Sequence, residues 1–433
     1  MVAPSPSAAQ IRTAARAANT APVGVLTRLL LGPLALPDHL GPRHTLLAVC
    51  PNSKAVIRAA LHAAQEARTP LLYAATLNQV DRDGGYTGWT PAAFASFVAE
   101  EADRRDLDVP IFLGLDHGGP WGKDDHVTQG LDCATAMAET KRSLKACVSA
   151  GYDLLHLDPA AGPPDADPPL PVDTLVDRTV ELMRHAESVR QARGRGPIAY
   201  EVGTDETRGG LQTEDRMRTF LRRLRDALEH HDLPRPSFVV GDVGTTLDAD
   251  RFDAERAERF ADAADAEMGA LVKGHYTDDV ATPSDYPLSG MGGANVGPGL
   301  SAVEARAVRN LAALEEALGG ASDAVEVLRT AVVESGRWKK WLHSTERGEP
   351  FEALPDDRKQ WLVNTGSRYV WSRADVKRAR AQLYENVAPY RDAEAYVQWR
   401  IKSAILRYMH AFNLIGLSDR LSDHLPDVPQ DGS

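Results

Sequence analysis

Residues 113–120 read Leu-Gly-Leu-Asp-His-Gly-Gly-Pro. The apolar run is typical of a buried β-strand, and it ends in an acid, an imidazole and a glycine-rich loop. In an α/β barrel the loops that follow the strands meet at one end of a packed core and carry the chemistry. We therefore take Asp116 and His117 as the candidate catalytic centre. The alternative is a capping aspartate beside a structural histidine, because a dipeptide is weak evidence by itself.

Short apolar or β-branched runs alternate with longer helical patterns from residue 45 to residue 317. Because consecutive parallel strands need helical crossovers, this alternation predicts an α/β fold, a (β/α)8 TIM barrel over residues 43–320. The predicted strands are 45–50, 71–76, 110–115, 154–157, 198–202, 238–240, 270–273 and 294–296. The predicted helices are 53–68, one from residue 91, 131–150, 172–190, 213–230, 254–264 and 301–317.

The segments on either side of the barrel have a different character. Residues 1–42 are expected to be a lead-in, either disordered with a docking helix or a cap over the bottom of the barrel. Residues 321–425 predict a C-terminal helical extension, with helices at 324–335, 338–346, 374–386 and 394–413. Its many aromatic residues could form a binding surface, but we favour packing against the barrel or a subunit partner. Residues 426–433 are expected to be a disordered tail.

Composition and charge limit the class of protein. The chain has 433 residues, 43% of them hydrophobic and 25% charged, as in folded globular proteins. A net charge of −12 argues against partners that are nucleic acids or anionic membranes. The sequence shows no membrane-spanning stretch and no signal peptide, and its three cysteines form no CxxC motif. We therefore expect a cytoplasmic protein, and we expect it to form a homo-oligomer.

Polar side chains recur at the ends of the predicted strands. A barrel gathers these strand ends in space, although the sequence spreads them over some two hundred residues. We therefore take the whole set as candidate site residues. They are Asn78, Gln79, Tyr86 and Thr87 after strand two, Asp116 and His117 after strand three, Asp158 after strand four, Glu201 and Glu206 after strand five, Asp242 after strand six, and His275 and Asp278 after strand seven.

Two histidines with carboxylates match a divalent metal site with one position open for substrate oxygens. The proposed ligands are His117, Glu201, Asp242 and His275. We expect zinc, with manganese, cobalt or nickel as alternatives. Such an ion polarises a carbonyl and stabilises an adjacent enediolate, while a carboxylate moves protons. The candidates for proton transfer are Asp116, Glu206 and Asp158. The competing interpretation is that these groups are caps and salt bridges, and for His156 we favour a structural role in the core.

A glycine-rich stretch, Gly-Met-Gly-Gly-Ala-Asn-Val-Gly-Pro-Gly, occupies residues 290–299. It runs through the last predicted strand into a helix. Exposed backbone N–H groups at such a helix start form the usual phosphate site of a barrel. Gly297, Gly299 and Ser301 are candidates for this role, with a plain tight turn as the alternative. The full set of substrate-binding candidates is Asn78, Gln79, Tyr86, Thr87, Asp278, Asn295, Gly297 and Ser301.

Several motifs in one order resemble a known family, the Z-type subunit of class II D-tagatose-bisphosphate aldolase. The resemblance runs from about residue 50 to residue 315. It implies a (β/α)8 barrel, sugar-phosphate substrates and cleavage of a C3–C4 bond with a divalent metal. The motifs are Asn78-Gln79-Val80, Gly84-Gly85-Tyr86-Thr87-Gly88, Thr90-Pro91, Asp116-His117, Gly119-Pro120, His156-Leu157-Asp158, Gly203-Thr204, Gly209-Gly210, His275, Thr277-Asp278 and Val296-Gly297-Pro298.

The resemblance also assigns roles to individual residues. By the pattern of class II aldolases, Asp116 would be the acid or base at the C4 hydroxyl, and His117 and His275 would bind the metal. Glu201 resembles an acidic residue after strand five that can swing onto the metal. The chain departs from the pattern after strand six, where these aldolases carry a further ligand histidine and this sequence has Val-Gly-Asp-Val at 240–243.

Three functional hypotheses follow. The first is a metal-dependent enzyme of a ketose or ketose phosphate that breaks and forms C3–C4, as an aldolase or, like some relatives, a ketose 4-epimerase. The second is a non-catalytic subunit that assembles with a smaller aldolase chain, because Z-type subunits are often described in this way. The third makes Lys273 the Schiff-base lysine of a metal-free aldolase.

Overall fold

The computed structural model describes residues 8–31, 43–162, 170–203, 213–247, 251–422 and 425. Eight parallel strands in this part of the chain close into one barrel in sequence order, with the last strand paired to the first. This confirms the predicted (β/α)8 fold. The strands are β1 (Leu46–Val49), β2 (Leu71–Thr76), β3 (Ile111–Asp116), β4 (Leu154–Leu157), β5 (Ala199–Gly203), β6 (Phe238–Val240), β7 (Leu271–Gly274) and β8 (Gly293–Val296).

Sixteen α-helices accompany the strands within the described residues. Several begin where a side chain accepts the first free backbone N–H, as Ser53 does from Val56 and Asp132 does from Thr135. The helices are α1 (Ala8–Ala17), α2 (Pro22–Leu31), α3 (Lys54–Ala67), α4 (Pro91–Asp103), α5 (Asp124–Thr128), α6 (Cys133–Ala150), α7 (Val172–Ala192), α8 (Glu214–His230), α9 (Ala254–Met268), α10 (Asp285–Leu288), α11 (Pro298–Ala317), α12 (Ala324–Ser335), α13 (Asp356–Gly366), α14 (Ala374–Val387), α15 (Ala393–Ala411) and α16 (Leu417–Ser422).

The strands are almost entirely buried because helices cover the outside of the sheet. Their apolar side chains therefore form a single large core with the inner faces of the helices. The pairing of Val49 with Val296 closes the barrel at β1 and β8. Each strand then points its carboxyl end toward the same end of the barrel, where the polar residues of the following loops meet.

The two N-terminal helices lie at the opposite end of the barrel. Ile11 of α1 and Val23 of α2 are fully buried. The Arg12 side chain pairs with Asp153 at 2.8 Å and also donates to the Ile111 carbonyl, and both partners lie at the starts of strands. These contacts hold α1 against the starts of β3 and β4. Residues 1–7 and 32–42, and the predicted disordered tail at 426–433, lie outside the described residues.

The helical extension differs from the prediction in several places, among them α16, which no predicted helix covers. The predicted helix at 338–346 consists of two 3₁₀ turns, Arg337–Trp341 and Ser344–Glu346, because Leu342 and His343 between them are extended. Helix α13 was not predicted, although Pro355 followed by two aspartates is a common helix start. None of the described helices combines the length and the apolar character needed to span a membrane.

The extension contacts both the outside of the barrel and the loops at its carboxyl end. Helix α15 packs against α3 and α11. Its Tyr408 hydroxyl donates to the Thr277 carbonyl at 3.3 Å and accepts from the Asp279 amide at 3.1 Å, just after β7. The Ser372 hydroxyl donates to the Tyr86 carbonyl in the loop after β2. The extension is thus fixed over the end of the barrel where the candidate site lies.

Candidate active site

A cavity of about 600 Å³ opens at the carboxyl end of the strands. This volume is within the range of small-molecule sites in proteins. Its floor is built by residues of the strands and their loops, including Cys50, Asn52, Asn78, Gln79, Asp116, His117, Asp158, His275, Asp278 and Asn295. Its other side, which we call the roof, is built by the extension: Lys340, Trp341, Leu342, His343, Arg347, Trp361, Arg368 and Tyr369.

Four side chains converge at the floor of this cavity. Asp116, His117, His156 and His275 each offer a ligand atom, and these atoms all lie within 4.8 Å of one another. The three imidazole rings have centroids 4.7 to 5.2 Å apart. Asp116 ends β3, His156 lies in β4 and His275 follows β7. The barrel therefore brings together residues that are far apart in the sequence; we call them the Asp-His group.

The backbone around His117 is strained, which orients the side chain. His117 has a φ of 49°, in the left-handed region. Such strain is maintained only where the surrounding structure holds it, and it is common at functional sites. Here the His117 amide nitrogen lies 3.1 Å from His156 Nδ1. Gly119 packs so tightly that a Cβ atom there would lie 1.6 Å from the Asp158 carbonyl oxygen, which explains a glycine at this position.

The Asp116 carboxylate is buried and held by three neighbours. Oδ1 lies 3.1 Å from His156 Nδ1 and 3.6 Å from His275 Nε2, and Oδ2 accepts from Asn295 Nδ2 at 3.1 Å. Burial alone would raise the pKa of Asp116, but His117, His275 and the hydrogen bond with His156 hold it well below its usual range. The carboxylate is therefore ionised and fixed in orientation at neutral pH.

Glu201 lies beside the Asp-His group and belongs to a buried ion pair. Its Oε2 is 2.6 Å from Lys273 Nζ, and its Oε1 is 3.1 Å from His275 Nε2. Both members of the ion pair are almost completely buried. Burial opposes ionisation of Glu201, but Lys273 and the neighbouring histidines lower its pKa to about 2. In this arrangement Glu201 supports His275 and neutralises Lys273.

Asp158 has a similar supporting position on the other side of the group. Its Oδ2 is 2.9 Å from His117 Nδ1, and its Oδ1 accepts from the Ala160 amide. Burial would raise the pKa of Asp158, but the hydrogen bond and charge of His117 lower it. A carboxylate at the far nitrogen of an imidazole fixes the orientation of the ring and makes the other nitrogen more basic.

The Asp-His group has the chemistry of a divalent metal site. His156 Nε2 and His275 Nδ1 are buried and have no hydrogen-bond partner among the described residues, whereas buried polar atoms normally have one. Burial lowers the pKa of His275, so its ring is neutral, which is the state that binds a metal. Three imidazoles and a carboxylate suit zinc and neighbouring transition metals. These residues therefore fit a divalent cation.

The predicted metal ligand Asp242 is not brought into this group. Asp242 lies in the loop after β6, where its Oδ1 accepts from the Gly244 amide at 2.8 Å and faces Arg256 at 3.3 Å. Its side chain caps its own loop, so the structure does not join it to His117 and His275 as a ligand. Glu206 lies outside the described residues, as do its neighbours at 204–212.

For His156, the sequence favoured a structural role in the core. The residue is indeed fully buried, but its ring contacts Asp116 and His117 and not apolar neighbours alone. A signal was present in the sequence. Side chains alternate along a strand, so His156 and Asp158 in Leu-His-Leu-Asp point to the same face. Asp158 had already been assigned to the site.

The substrate-binding candidates divide into two sets. Asn78, Gln79, Tyr86, Asp278, Asn295 and Gly297 line the cavity, whereas Thr87 and Ser301 are not among its lining residues. The Thr87 hydroxyl donates to the Gln79 carbonyl and closes the loop after β2. Ser301 is completely buried in the first turns of α11.

Comparison with known proteins places the chain in a family. Residues 34–399 match the family described as D-tagatose-1,6-bisphosphate aldolase subunit GatZ/KbaZ-like. The chain belongs to this family. The match covers most of the barrel and most of the extension, so the extension belongs to what the family shares. It also confirms the resemblance found in the sequence.

One solved structure shares the fold with a TM-score above 0.5, and two others are more distantly similar. A protein from Sinorhizobium meliloti 1021, described as a probable tagatose 6-phosphate kinase, matches with a TM-score of 0.71 and 24% identity, covering 85% of this chain and all of that one. A fructose-bisphosphate aldolase from Campylobacter jejuni matches with a TM-score of 0.47 and 12% identity, covering 86% of this chain and 90% of that one. The YdjI aldolase from Escherichia coli K12 has a TM-score of 0.46 and 12% identity, with 87% and 93% covered.

The start of α11 is already occupied by a carboxylate of the chain itself. Asp278 Oδ1 accepts from the Gly297 amide at 2.9 Å and from the Gly299 amide at 2.7 Å. A Cβ atom at Gly299 would lie 2.8 Å from the same oxygen. These two N–H groups, which the sequence suggested for a phosphate, are therefore not free in this structure. Asp278 takes the position that a bound anion would take.

Asp278 gives a stability prediction that depends on pH. Burial raises its pKa to about 7, although the two amides oppose the shift. The folded protein thus keeps a proton that the unfolded chain loses at about pH 4. We expect the stability of the wild type, relative to Asp278→Asn, to fall as pH rises from about 4 to 7. Urea unfolding of both proteins at pH 5 and pH 8 measures the difference.

Asp278→Ala is the matched control for the hydrogen bonds. Asparagine keeps an oxygen that accepts from both amides, whereas alanine leaves two buried N–H groups without a partner. We expect Asp278→Ala to lose about 2 kcal/mol at pH 5 relative to Asp278→Asn. Equal stabilities of the two variants would show that the Asp278 contacts do not hold the start of α11.

Proposed function

We propose that this protein is a metal-dependent enzyme that breaks and forms the C3–C4 bond of a ketose or ketose phosphate. Its activity would be that of a tagatose-bisphosphate aldolase or a fructose/tagatose 4-epimerase. The observation that carries the proposal is the Asp-His group, in which one ionised carboxylate and three imidazoles, two of them buried, meet at the floor of a cavity. Membership in a family of aldolase subunits supports the same chemistry.

His117, His156 and His275 would hold the cation, with the Asp116 carboxylate beside it. We expect zinc, with manganese, cobalt or nickel as alternatives. When bound, a divalent ion acts as a Lewis acid for the negative charge that develops on the sugar oxygens as C3–C4 breaks. Asp158 keeps the His117 ring in position through its 2.9 Å contact. Glu201 does the same for His275 and is itself held by Lys273.

Asp116 is the residue that we assign to proton transfer. In the cleavage direction its carboxylate accepts the proton of the C4 hydroxyl, C4 becomes a carbonyl, and the C3–C4 electron pair moves toward the C2 carbonyl. In the forming direction Asp116 returns the proton to the C4 oxygen. The Asn295 amide and His156 fix the two carboxylate oxygens, so the reacting geometry exists before the sugar binds.

The Schiff-base alternative is less well supported. A lysine that attacks a carbonyl must be neutral and accessible. Lys273 Nζ instead forms a 2.6 Å ion pair with Glu201, and the residue is 1% exposed and is not among those that line the cavity. Its role in this proposal is to supply the positive charge that holds Glu201.

Aldolase and 4-epimerase activities would use the same residues. An aldolase releases the aldehyde after cleavage, whereas an epimerase lets it turn and joins it again on the other face. Retention of the aldehyde decides between them, and the roof of the cavity, formed by Trp341, Trp361 and their neighbours, is the part of the site positioned to retain it.

Removal and restoration of metal tests the proposal. The protein is treated with a chelator and then given zinc, manganese, cobalt or nickel. Triose release from fructose and tagatose phosphates, and fructose/tagatose interconversion with and without phosphate, are then followed. We expect turnover to disappear with the chelator and to return with one of the ions.

A second result would support a different role. If no ketose is turned over with any ion, the catalytic proposal is wrong. If a smaller aldolase chain then co-purifies with the protein, and His117→Ala leaves that assembly intact, the protein is a non-catalytic subunit. Interconversion without triose release would select the epimerase form of the proposal, and triose release would select the aldolase form.

A further inference from the structure

Arg368, in the roof of the cavity, is a buried cation. It is 5% exposed, although it is one of the residues that line the cavity. Its guanidinium donates to the Thr365 carbonyl and, at 2.8 Å, to the Tyr369 hydroxyl. It also faces the rings of Tyr369 and Trp341, with centroid distances of 4.4 and 5.2 Å. Its position is therefore fixed by neutral groups.

Within the ranges that the structure describes, no carboxylate forms an ion pair with Arg368. Two half-buried arginines of the extension do have one: Arg358 pairs with Glu346 at 2.9 Å and Arg380 with Glu304 at 3.0 Å. A guanidinium stays charged at all physiological pH values, and a buried charge is costly unless it is paired. The roof therefore presents a charge that lacks an anion.

Two further cations lie on the same side of the cavity. Lys340 Nζ is 5.4 Å from the centre of the Tyr369 ring and pairs with Asp124 at 3.1 Å, and the exposed Arg347 also lines the cavity. Burial raises the pKa of Tyr369, but Arg368, Lys340 and the hydrogen bond from Trp341 outweigh it and lower the pKa. Arg368 and Lys340 thus place positive charge beside the Tyr369 ring.

The cationic roof and the Asp-His group face the same space. Burial raises the pKa of the Cys50 thiol; Asp116 and Asp278 raise it further, while Lys273 and Arg368 lower it. Cys50 and Arg368 line the same cavity as Asp116, His117 and His275. A ligand that fills the cavity can contact the Asp-His group with one end and Arg368 with the other.

We propose that Arg368, with Lys340 and Arg347, binds the negatively charged group of the sugar, so that the substrate is an anionic ketose and not a neutral one. The planar guanidinium fork suits either a phosphate ester or a carboxylate. This inference rests on the proposed function for the identity of the sugar. It makes the helical extension a part of the binding site, and it places the anion at the roof and not at the start of α11.

Binding to the chelator-treated full-length protein tests the inference without turnover. Calorimetric titrations use D-fructose 6-phosphate, D-fructuronate, D-fructose and inorganic phosphate as probes. We expect one of the two anionic sugars to bind at least about 10-fold more tightly than fructose. We expect Arg368→Met to remove that preference and Arg368→Lys to restore part of it. The anionic sugar with the larger preference identifies the phosphate or the carboxylate.

Matched variants separate a lost contact from lost folding. Arg373→Met removes an arginine of the extension that is paired with Asp375 and Glu334, and we expect it to bind every probe as the wild type does. Arg347 is exposed, so Arg347→Gln is not expected to destabilise the protein. We expect this variant to weaken binding of the anionic sugar alone. Thermal unfolding verifies that Arg368→Met remains folded.

The two proposals fail in different ways. If the wild type binds fructose as tightly as both anionic sugars, or if Arg368→Met and Arg347→Gln keep the full preference, the anion site is wrong even where ketose turnover depends on metal. If the preference exists and is lost in Arg368→Met, the anion site stands, even where no turnover is found and the catalytic proposal fails.

Discussion

Replacing Asp116 by Asn is expected to lower kcat for C3–C4 cleavage or interconversion by about 1000-fold, as for loss of a positioned general acid or base. Asparagine has nearly the same shape and can still accept the hydrogen bond from Asn295. It cannot take up the proton of the C4 hydroxyl. The loss should therefore appear in kcat, while the thermal unfolding temperature and the bound metal change little.

Asp153 supplies the matched control for this variant. It is also a buried aspartate, but it pairs with Arg12 at the opposite end of the barrel. We expect Asp153→Asn to lower the free energy of unfolding. We expect it to leave kcat within about twofold, because Asp153 lies at the other end of the barrel from the reacting groups. Turnover of metal-loaded Asp116→Asn within about tenfold of wild type would remove Asp116 from the role of proton acceptor.

The second large effect is expected at His156. If this residue belongs to the metal site, His156→Gln should weaken binding of zinc at least about 100-fold, since loss of a mere supporting partner already costs about 10- to 100-fold. His117→Gln and His275→Gln should behave in the same way. Competition with a chromophoric chelator measures the affinity of each purified variant.

His44 is the control for burial of a histidine. It is 5% exposed and its Nδ1 lies 2.7 Å from the Asn413 carbonyl, far from the cavity lining. His44→Gln should leave zinc affinity unchanged. Wild-type zinc affinity in His156→Gln would return His156 to the structural role that the sequence first suggested. Loss of affinity in His117→Gln and His275→Gln alone would reduce the site to those two imidazoles and a carboxylate.

The barrel was predictable because its signal is local and repeated. Apolar runs such as 71–76 and 154–157 appear as strands at the predicted residues, and helices start where Ser53 and Asp132 cap them. Each strand or helix is indicated by the hydrophobic pattern and the capping residues of its own short segment. The 3₁₀ turns at Arg337–Trp341 and Ser344–Glu346 were not predictable in this way. The sequence has a helical pattern there, but Leu342 and His343 between the two turns are extended, which the local pattern does not predict.

Site residues were predictable from the sequence where they directly follow a strand. Asp116, His117 and His275 follow strands directly, and the barrel geometry brings them together. Asp242 also follows a strand, but its side chain turns back and accepts a hydrogen bond from the Gly244 amide. The position of a residue after a strand does not predict such a local hydrogen bond. The same holds for the amides of Gly297 and Gly299, which were suggested for an anion: Asp278 accepts from them in this structure, a contact that the sequence did not predict.

The roof could not be found from the sequence. Arg368 carries no motif. It is singled out because it is buried and has no acidic partner among the residues that the structure describes, which a sequence does not show. The aromatic residues of the extension were interpreted as packing, and many of them are buried in this way. Trp341, Trp361 and Tyr369 also line the cavity, so the extension serves both packing and the site.

Anomalous X-ray scattering from a zinc-loaded crystal tests the central claim most directly. The account predicts one strong peak within coordination distance of His117, His156 and His275, with Asp116 beside it. A map without a peak between these imidazoles, or with the ion bound elsewhere, would contradict the claim that the barrel assembles a metal-dependent active site.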